Sequence, residues 1–314
     1  MTSIAKAPPS IMFHHFCDDY HPQGQGAITA TELEALILWV GRENVLSASQ
    51  WQAHMEQGTL APSKICLTFD DNLRCQYDIA LPVLEKFGLT AFWFVYTGHW
   101  ADKIIPRLEV YRYFRTVYYP DIEIFYADFF KVAENLHGSV IRKWLLAFDR
   151  NQFSDYVYPP YYSLNDCRFR EMRDTLMTND QYVSVMDELL CQKDVSVMET
   201  IHRTMMSPQD VQTLSEKGHF IGLHSHTHPT NMASLPANEQ RSQYEKNVAE
   251  ITRVTGQIPF CISHPSNSYS IETLNILKDL GIKFGFRANV EQKNYSKYEI
   301  PRIDHSTLMR KMYK

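Results

Sequence analysis

The sequence predicts an α/β chain: a single irregular (β/α) barrel spanning all 314 residues, with a mostly helical insertion over 99–206. Three observations predict it. Short apolar runs bounded by polar residues recur along the chain, too short for helices and suited to buried strands. Most of them alternate with segments of helical period, the rhythm of βαβ units. Asp and His residues stand directly behind the apolar runs, where a barrel of this kind gathers its chemistry at the C-terminal strand ends.

Taken in order, Ile11-Met-Phe-His-His-Phe16 reads as a first strand with His14 and His15 near its end. A turn carrying Gly24 and Gly26 follows. Thr29-Ala-Thr-Glu32 then has the form of a capping box and opens an amphipathic helix through Leu33, Leu36, Ile37 and Val40. Ile65 to Phe69 is a second strand, Tyr77 to Phe87 a helix closed by Gly88, and Thr90 to Tyr96 an aromatic-rich strand. From about 99 to 206 the alternation stops. Helical period marks Arg107 to Val117, Ile122 to Leu136 and Asn179 to Leu190. Aromatic residues crowd the segment, from Tyr111, Phe114 and Tyr119 through Phe125, Tyr126 and Phe129 to Tyr158-Pro-Pro-Tyr-Tyr162. Such a stripe is either core or a platform for sugar rings, and the spacing does not choose. Alternation resumes with a helix from Ser207-Pro208, a strand over His219 to His224, a helix over Pro236 to Val254 and a strand over Pro259 to Ser263. A helix over Ile271 to Leu280, a strand over Lys283 to Phe286 and the segment Ile300 to His305 complete about seven strand candidates.

Composition narrows the function. A net charge of −5 and a pI near 6.2 give no electrostatic support to nucleic-acid binding. A hydrophobic content of 44% supports a sizeable core. The six cysteines show no CxxC spacing, and Cys66 and Cys261 fall in expected strands, which points to reduced cytosolic usage. The first nine residues lack an apolar stretch before their prolines, and no apolar run reaches the length of a membrane span. The expected location is the cytoplasm.

Two stretches carry chemistry. Lys64-Ile-Cys-Leu-Thr-Phe-Asp-Asp-Asn72 ends a strand in adjacent carboxylates, Asp70 and Asp71, and adjacent carboxylates need solvent or a cation. Asn72 suits the left-handed backbone of a sharp turn. Far downstream, Ile221-Gly-Leu-His-Ser-His-Thr-His-Pro229 also runs from strand into ligand residues. A catalytic zinc site takes three imidazole or carboxylate ligands and keeps one position open. A metal there acidifies water, and a spare carboxylate beside it serves as base. Taken singly, the Asp pair also fits a solvated turn, and the His run a surface cluster with weak metal affinity.

Together the two stretches resemble the NodB-type polysaccharide deacetylases (carbohydrate esterase family four), metal-dependent amide and ester hydrolases on a distorted (β/α)7 barrel. The first motif, T-F-D-D, stands as Thr68-Phe-Asp-Asp71; the second, H-[ST]-x-x-H-P, as His224-Ser-His-Thr-His-Pro229. The resemblance implies Asp70 as catalytic base and Asp71, His224 and His228 as ligands of one divalent metal, Zn2+ first, with Co2+, Ni2+ or Mn2+ as alternatives. It implies Ser225 as a brace of the loop and leaves His226 outside the ligand set. The third motif departs from the family, because Ile262-Ser-His-Pro-Ser-Asn267 has no Arg. Pro265 matches, and a backbone N–H after it, with Ser266 and Asn267, is expected to line the oxyanion site. The Asp that braces the family's Arg is also missing from Phe286-Arg-Ala-Asn289. The last motif is met loosely by Ile300-Pro-Arg-Ile-Asp-His305, which nominates His305 as general acid with His264 as understudy; either is equally a structural histidine. Arg302 and Asp304 form either a brace or a surface ion pair, and His14 lies in the pocket lining or behind it.

The implied reaction is removal of an N-acetyl or other short N-acyl group from an amino sugar of a polysaccharide or glycan precursor. The expected partner is thus carbohydrate, with neither nucleic acid nor a membrane span. Two other readings stand: an amidohydrolase for a non-sugar amide, favoured by the altered third motif and the insertion, and a barrel that binds carbohydrate without catalysis.

Overall fold

A computed structural model of the protein describes residues 10–154, 162–290 and 295–313. The N-terminal residues 1–9 and the 158–161 part of the aromatic run lie outside the described residues. The chain divides into two compact units, one of 1–106 with 201–314 and one of 107–200.

The first unit holds a seven-stranded, all-parallel sheet: β1 (Ser10–Phe13), β2 (Cys66–Phe69), β3 (Phe92–Val95), β4 (Phe220–Leu223), β5 (Cys261–Ser263), β6 (Phe284–Phe286) and β7 (Ile303–Asp304). The strand order is β6-β5-β4-β3-β2-β1-β7. Curling brings the ends of this order together, for Ile300, just ahead of β7, bridges Phe286 of β6. This is the distorted (β/α)7 barrel. Every strand expected from the sequence is present but shorter. The first stops at Phe13, and Phe16 pairs singly with Ile28 instead.

Aromatic residues fill the sheet's interior. Trp51, Phe92, Phe94, Phe284 and Phe286 form one buried cluster with Phe220 and Phe260 packed against it. Gly222 makes room for it: a Cβ there would meet the Phe94 ring at 2.5 Å and the Cys261 carbonyl at 2.9 Å. Local signals account for the helices. Thr29 and Glu32 form the expected capping box ahead of helix Ala30–Trp39, and Ser207 caps Pro208–Glu216. The helix expected over Tyr77 to Phe87 is split, with a π-helical turn over Gln76–Ala80 before Leu81–Lys86. His305, expected at a strand end, instead begins helix His305–Met312, capped by Asp304.

The second unit is helical, with Arg107–Val117, Ile122–His137, Ser139–Ala147, Leu164–Glu171 and Asn179–Gln192 as its main helices. The aromatic stripe is its core: Tyr111, Phe114, Tyr119, Phe125, Tyr126, Phe129 and Phe169 are all buried. No helix among the described residues is long and apolar enough to cross a membrane.

Candidate active site

The C-terminal ends of β1, β2, β4 and β5 deliver His14, Asp70 with Asp71, His224 and His264. The turns that do this are strained. Asp71, Asn72, Ser225 and His228 all have positive φ, at 78°, 59°, 63° and 55°. Backbone of this kind persists only where surrounding structure enforces it, and it gathers at functional sites. Here the enforcement is visible: Ser225 Oγ accepts the His228 N–H at 3.1 Å, and the Gln76 amide donates to the Asp70 carbonyl at 2.6 Å and to that of His14 at 2.8 Å.

Asp71, His224 and His228 converge. The Oδ1 atom of Asp71 lies 3.1 Å from His224 Nε2 and 3.3 Å from His228 Nε2. The His224 Nδ1 atom is 2.8 Å from the carbonyl of Ser263, which can only accept. That nitrogen therefore carries the hydrogen, and Nε2 turns a lone pair towards the carboxylate. Acceptors meeting acceptors in a buried place call for a cation. One ligand atom from each of the three residues lies within 4.8 Å of the others, and the donor set of one carboxylate and two imidazoles fits a divalent metal such as zinc.

Asp70 sits apart from that cluster and is clamped. Arg302 Nη1 donates to its Oδ1 at 2.7 Å and Nη2 to its Oδ2 at 2.6 Å. Ser263 Oγ donates to Oδ2 at 2.9 Å. Arg302 is wholly consumed: Nε donates to the Arg287 carbonyl, Nη1 also to Thr68 Oγ1, and Nη2 also to Ser263 Oγ. Burial pushes the Asp70 carboxyl up, but the Arg302 guanidinium, with His224 behind it, more than offsets this and lowers it. The guanidinium absent from the third motif is thus present in space, delivered by the residue before β7. It does not pair with Asp304, which caps the following helix.

The structure separates the remaining histidines. His14 joins the site, with Nε2 3.8 Å from Asp71 Oδ2 and 29% of its side chain exposed. Buried His305 turns elsewhere: its ring nitrogens lie 3.3 Å from the Met12 carbonyl and 3.0 Å from that of Gly26, and its ring stacks on Phe13. Both of its ring nitrogens thus face backbone carbonyls rather than the Asp71 cluster. Buried His264 donates Nε2–H to the Tyr298 carbonyl at 2.8 Å and stacks on Tyr269. Burial lowers its pKa to about 4, so it stays neutral and is a poor acid. His226 points away from the ligands, towards Thr97 Oγ1 and Asp102. In the turn after Pro265, Ser266 is exposed. Asn267 is engaged, donating its N–H to the His264 carbonyl and accepting the Ala288 N–H on Oδ1.

Three supporting residues escaped the sequence reading. Ser263 bridges base and ligand, with its hydroxyl on Asp70 and its carbonyl on His224. Asn247, wholly buried, accepts the His224 N–H and donates to the Val95 carbonyl and Thr97 Oγ1. Gln76 ties the turns after β1 and β2 together. A polar residue inside an amphipathic helix or strand carries no signal of its partner; only Ser263, beside the third motif, had position in its favour.

Comparison with known proteins agrees with this geometry. The family model described as polysaccharide deacetylase matches residues 168–285, a span that includes His224 and His228. Over that span the chain is similar to the polysaccharide deacetylases. Asp70 and Asp71 lie outside the matched span and join it through the fold. The fold is similar to that of the Streptococcus pyogenes deacetylase PplD, solved in complex with acetate, at 14% identity over 98% of this chain and 99% of that one, TM-score 0.55. It is similar to IcaB from Ammonifex degensii at 13% identity over 95% and 92% of the two chains, TM-score 0.54. It is also similar to a de-N-acetylase from Aggregatibacter actinomycetemcomitans at 14% identity over 96% and 98%, TM-score 0.53. At such identities the likeness is one of fold. No curated protein matches the chain in sequence.

Proposed function

We propose that the chain is a metal-dependent deacetylase that removes an N-acetyl or other short N-acyl group from an amino sugar of a glycan or glycan precursor. The observation that carries this is the division of labour between two adjacent carboxylates. Asp71 is turned to the Nε2 atoms of two imidazoles, whereas Asp70 is fixed beside them and kept ionised by Arg302. Asp71, His224 and His228 would hold the ion, Zn2+ by donor set. A bound divalent ion supplies a Lewis acid and lowers the pKa of water from 15.7 to about 7.

The chain's own residues do the rest. Asp70 accepts the proton of the attacking water, and its fork to Arg302 prevents it from swinging into the ligand set. Ser263 keeps base and ligand in register. His14, beside Asp71 with part of its side chain exposed, takes the place of His305 and His264 as the group that hands a proton to the leaving amine; burial lowers its pKa, and the Asp71 and Asp70 carboxylates oppose that. The sugar substrate is supported by the match of residues 168–285 to the family model described as polysaccharide deacetylase. A cytoplasmic location is supported by six free cysteines, five of them buried.

The test is acetate release from N-acetylglucosamine oligomers by zinc-loaded protein. Wild type should release acetate, Asp70→Asn should fall by at least about 10²-fold, within the range for loss of a positioned base, and His14→Gln should fall by a similar factor with metal content unchanged. Release by Asp70→Asn at the wild-type rate would overturn the assignment.

A further inference from the structure

The helical unit carries a second concentration of charge, independent of the metal site. Arg115, on helix Arg107–Val117, lies with its guanidinium 5.7 Å from the Phe125 ring and 5.4 Å from the Phe169 ring. Arg173 approaches the same Phe169 ring at 5.6 Å. Arg112 and Arg173 are both close enough to repel Arg115, and the burial of the guanidinium adds to its cost.

The neighbours have anions of their own. Arg173 forks onto Asp174 at 2.6 and 2.7 Å, Arg170 bonds Asp166 at 2.6 Å, and Arg112 stands 3.9 Å from Glu109. Arg115 pairs with no carboxylate among the described residues; its Nε donates only to the Tyr111 carbonyl of its own helix, at 3.4 Å. Among the described residues its two Nη groups thus form a fork with an aromatic floor and no acceptor. A side chain needed only to cover Phe125 and Phe169 would do so better without a charge repelled by two others. A planar guanidinium fork matches an oxyanion with two oxygens, and phosphate offers a third oxygen for Arg112.

We infer that the helical unit holds an oxyanion site built on Arg115, with Arg112 beside it and Phe125 and Phe169 as its floor, that takes a phosphate group. The phosphate could be carried by a sugar or by a lipid headgroup, and the chemistry of recognition is the same.

The test is calorimetric titration of the full chain, stripped of metal so that the metal site does not compete, with inorganic phosphate and then with glucose 1-phosphate. Wild type and Asp71→Ala should bind phosphate alike and saturably. Arg115→Met, which keeps the apolar stem, should weaken binding by at least about tenfold, the loss expected for charge-assisted bonds. No saturable binding by wild type, or equal binding by Arg115→Met, would overturn the site. Should Arg115→Met fail to fold by circular dichroism, Arg112→Met decides in its place: weakened binding supports the site and unchanged binding overturns it. Binding of glucose 1-phosphate, or of vesicles containing phosphatidylglycerol, with the same dependence on Arg115 supports the site and assigns the phosphate to sugar or to lipid.

Discussion

Replacing Arg302 by Met should be among the most damaging single changes in the barrel. The guanidinium is fully buried and donates five hydrogen bonds: two to Asp70 and one each to Thr68, Ser263 and the Arg287 carbonyl. Asp70 is itself 2% exposed, so the substitution leaves a carboxylate in the interior with Ser263 as its remaining side-chain donor. Removing one partner of a buried pair costs about 3–5 kcal/mol, mostly as the penalty of the stranded charge. Removing both partners costs less than that, because no bare charge remains. Urea unfolding at neutral pH should therefore rank Arg302→Met below the double variant Asp70→Asn with Arg302→Met. Acetate release should be lost in both, since one lacks the base and the other its support. The reasoning fails if Arg302→Met unfolds within about 1 kcal/mol of wild type, the worth of an ordinary surface pair.

Other outcomes follow from the same contacts. Asn247→Ala leaves the His224 N–H and the Val95 carbonyl without their side-chain partner; zinc affinity should fall about 10- to 100-fold, as for other residues that orient metal ligands, and competition with a chelating dye would measure it. Gly222→Ala forces a methyl into Phe94 and the Cys261 carbonyl, and should cost about 1–3 kcal/mol in urea unfolding, part of it recovered by adding Phe94→Leu. His219, buried, accepts the Ala91 N–H and the Trp93 indole N–H on Nδ1, and burial lowers its pKa from 6.5 to about 4. The unfolded chain therefore takes up this proton first as pH falls. Its contribution is intact above about 6.5 and is lost between there and about 4, by up to about 3 kcal/mol. Unfolding midpoints across that range should fall more steeply for wild type than for His219→Gln.

The barrel was legible because β1 to β6 are short apolar runs, separated by length and polar bounds from the amphipathic helices between them. Boundaries were less so: whether Phe16 extends β1 depends on its pairing with Ile28, which no local pattern announces. The candidate site was legible where its residues cluster in sequence, Asp70 beside Asp71 and His224 four residues before His228, behind two strands. The support around them was not. Arg302 was visible as a residue, but its partner Asp70 is far away in sequence, and the nearer Asp304 suggested the wrong pairing. His305 matched a motif position, yet Asp304 starts a helix there and turns the ring to the carbonyls of Met12 and Gly26. His14, read from the sequence as pocket lining or a residue behind it, lies 3.8 Å from Asp71.

The most direct test of the account is zinc titration by calorimetry on chelator-stripped wild type beside Asp71→Ala and His228→Ala. One zinc per wild-type chain and no stoichiometric binding in either variant is the expected result, with all three proteins folded. Stoichiometric zinc in Asp71→Ala at wild-type affinity, or none in the wild type, would contradict it.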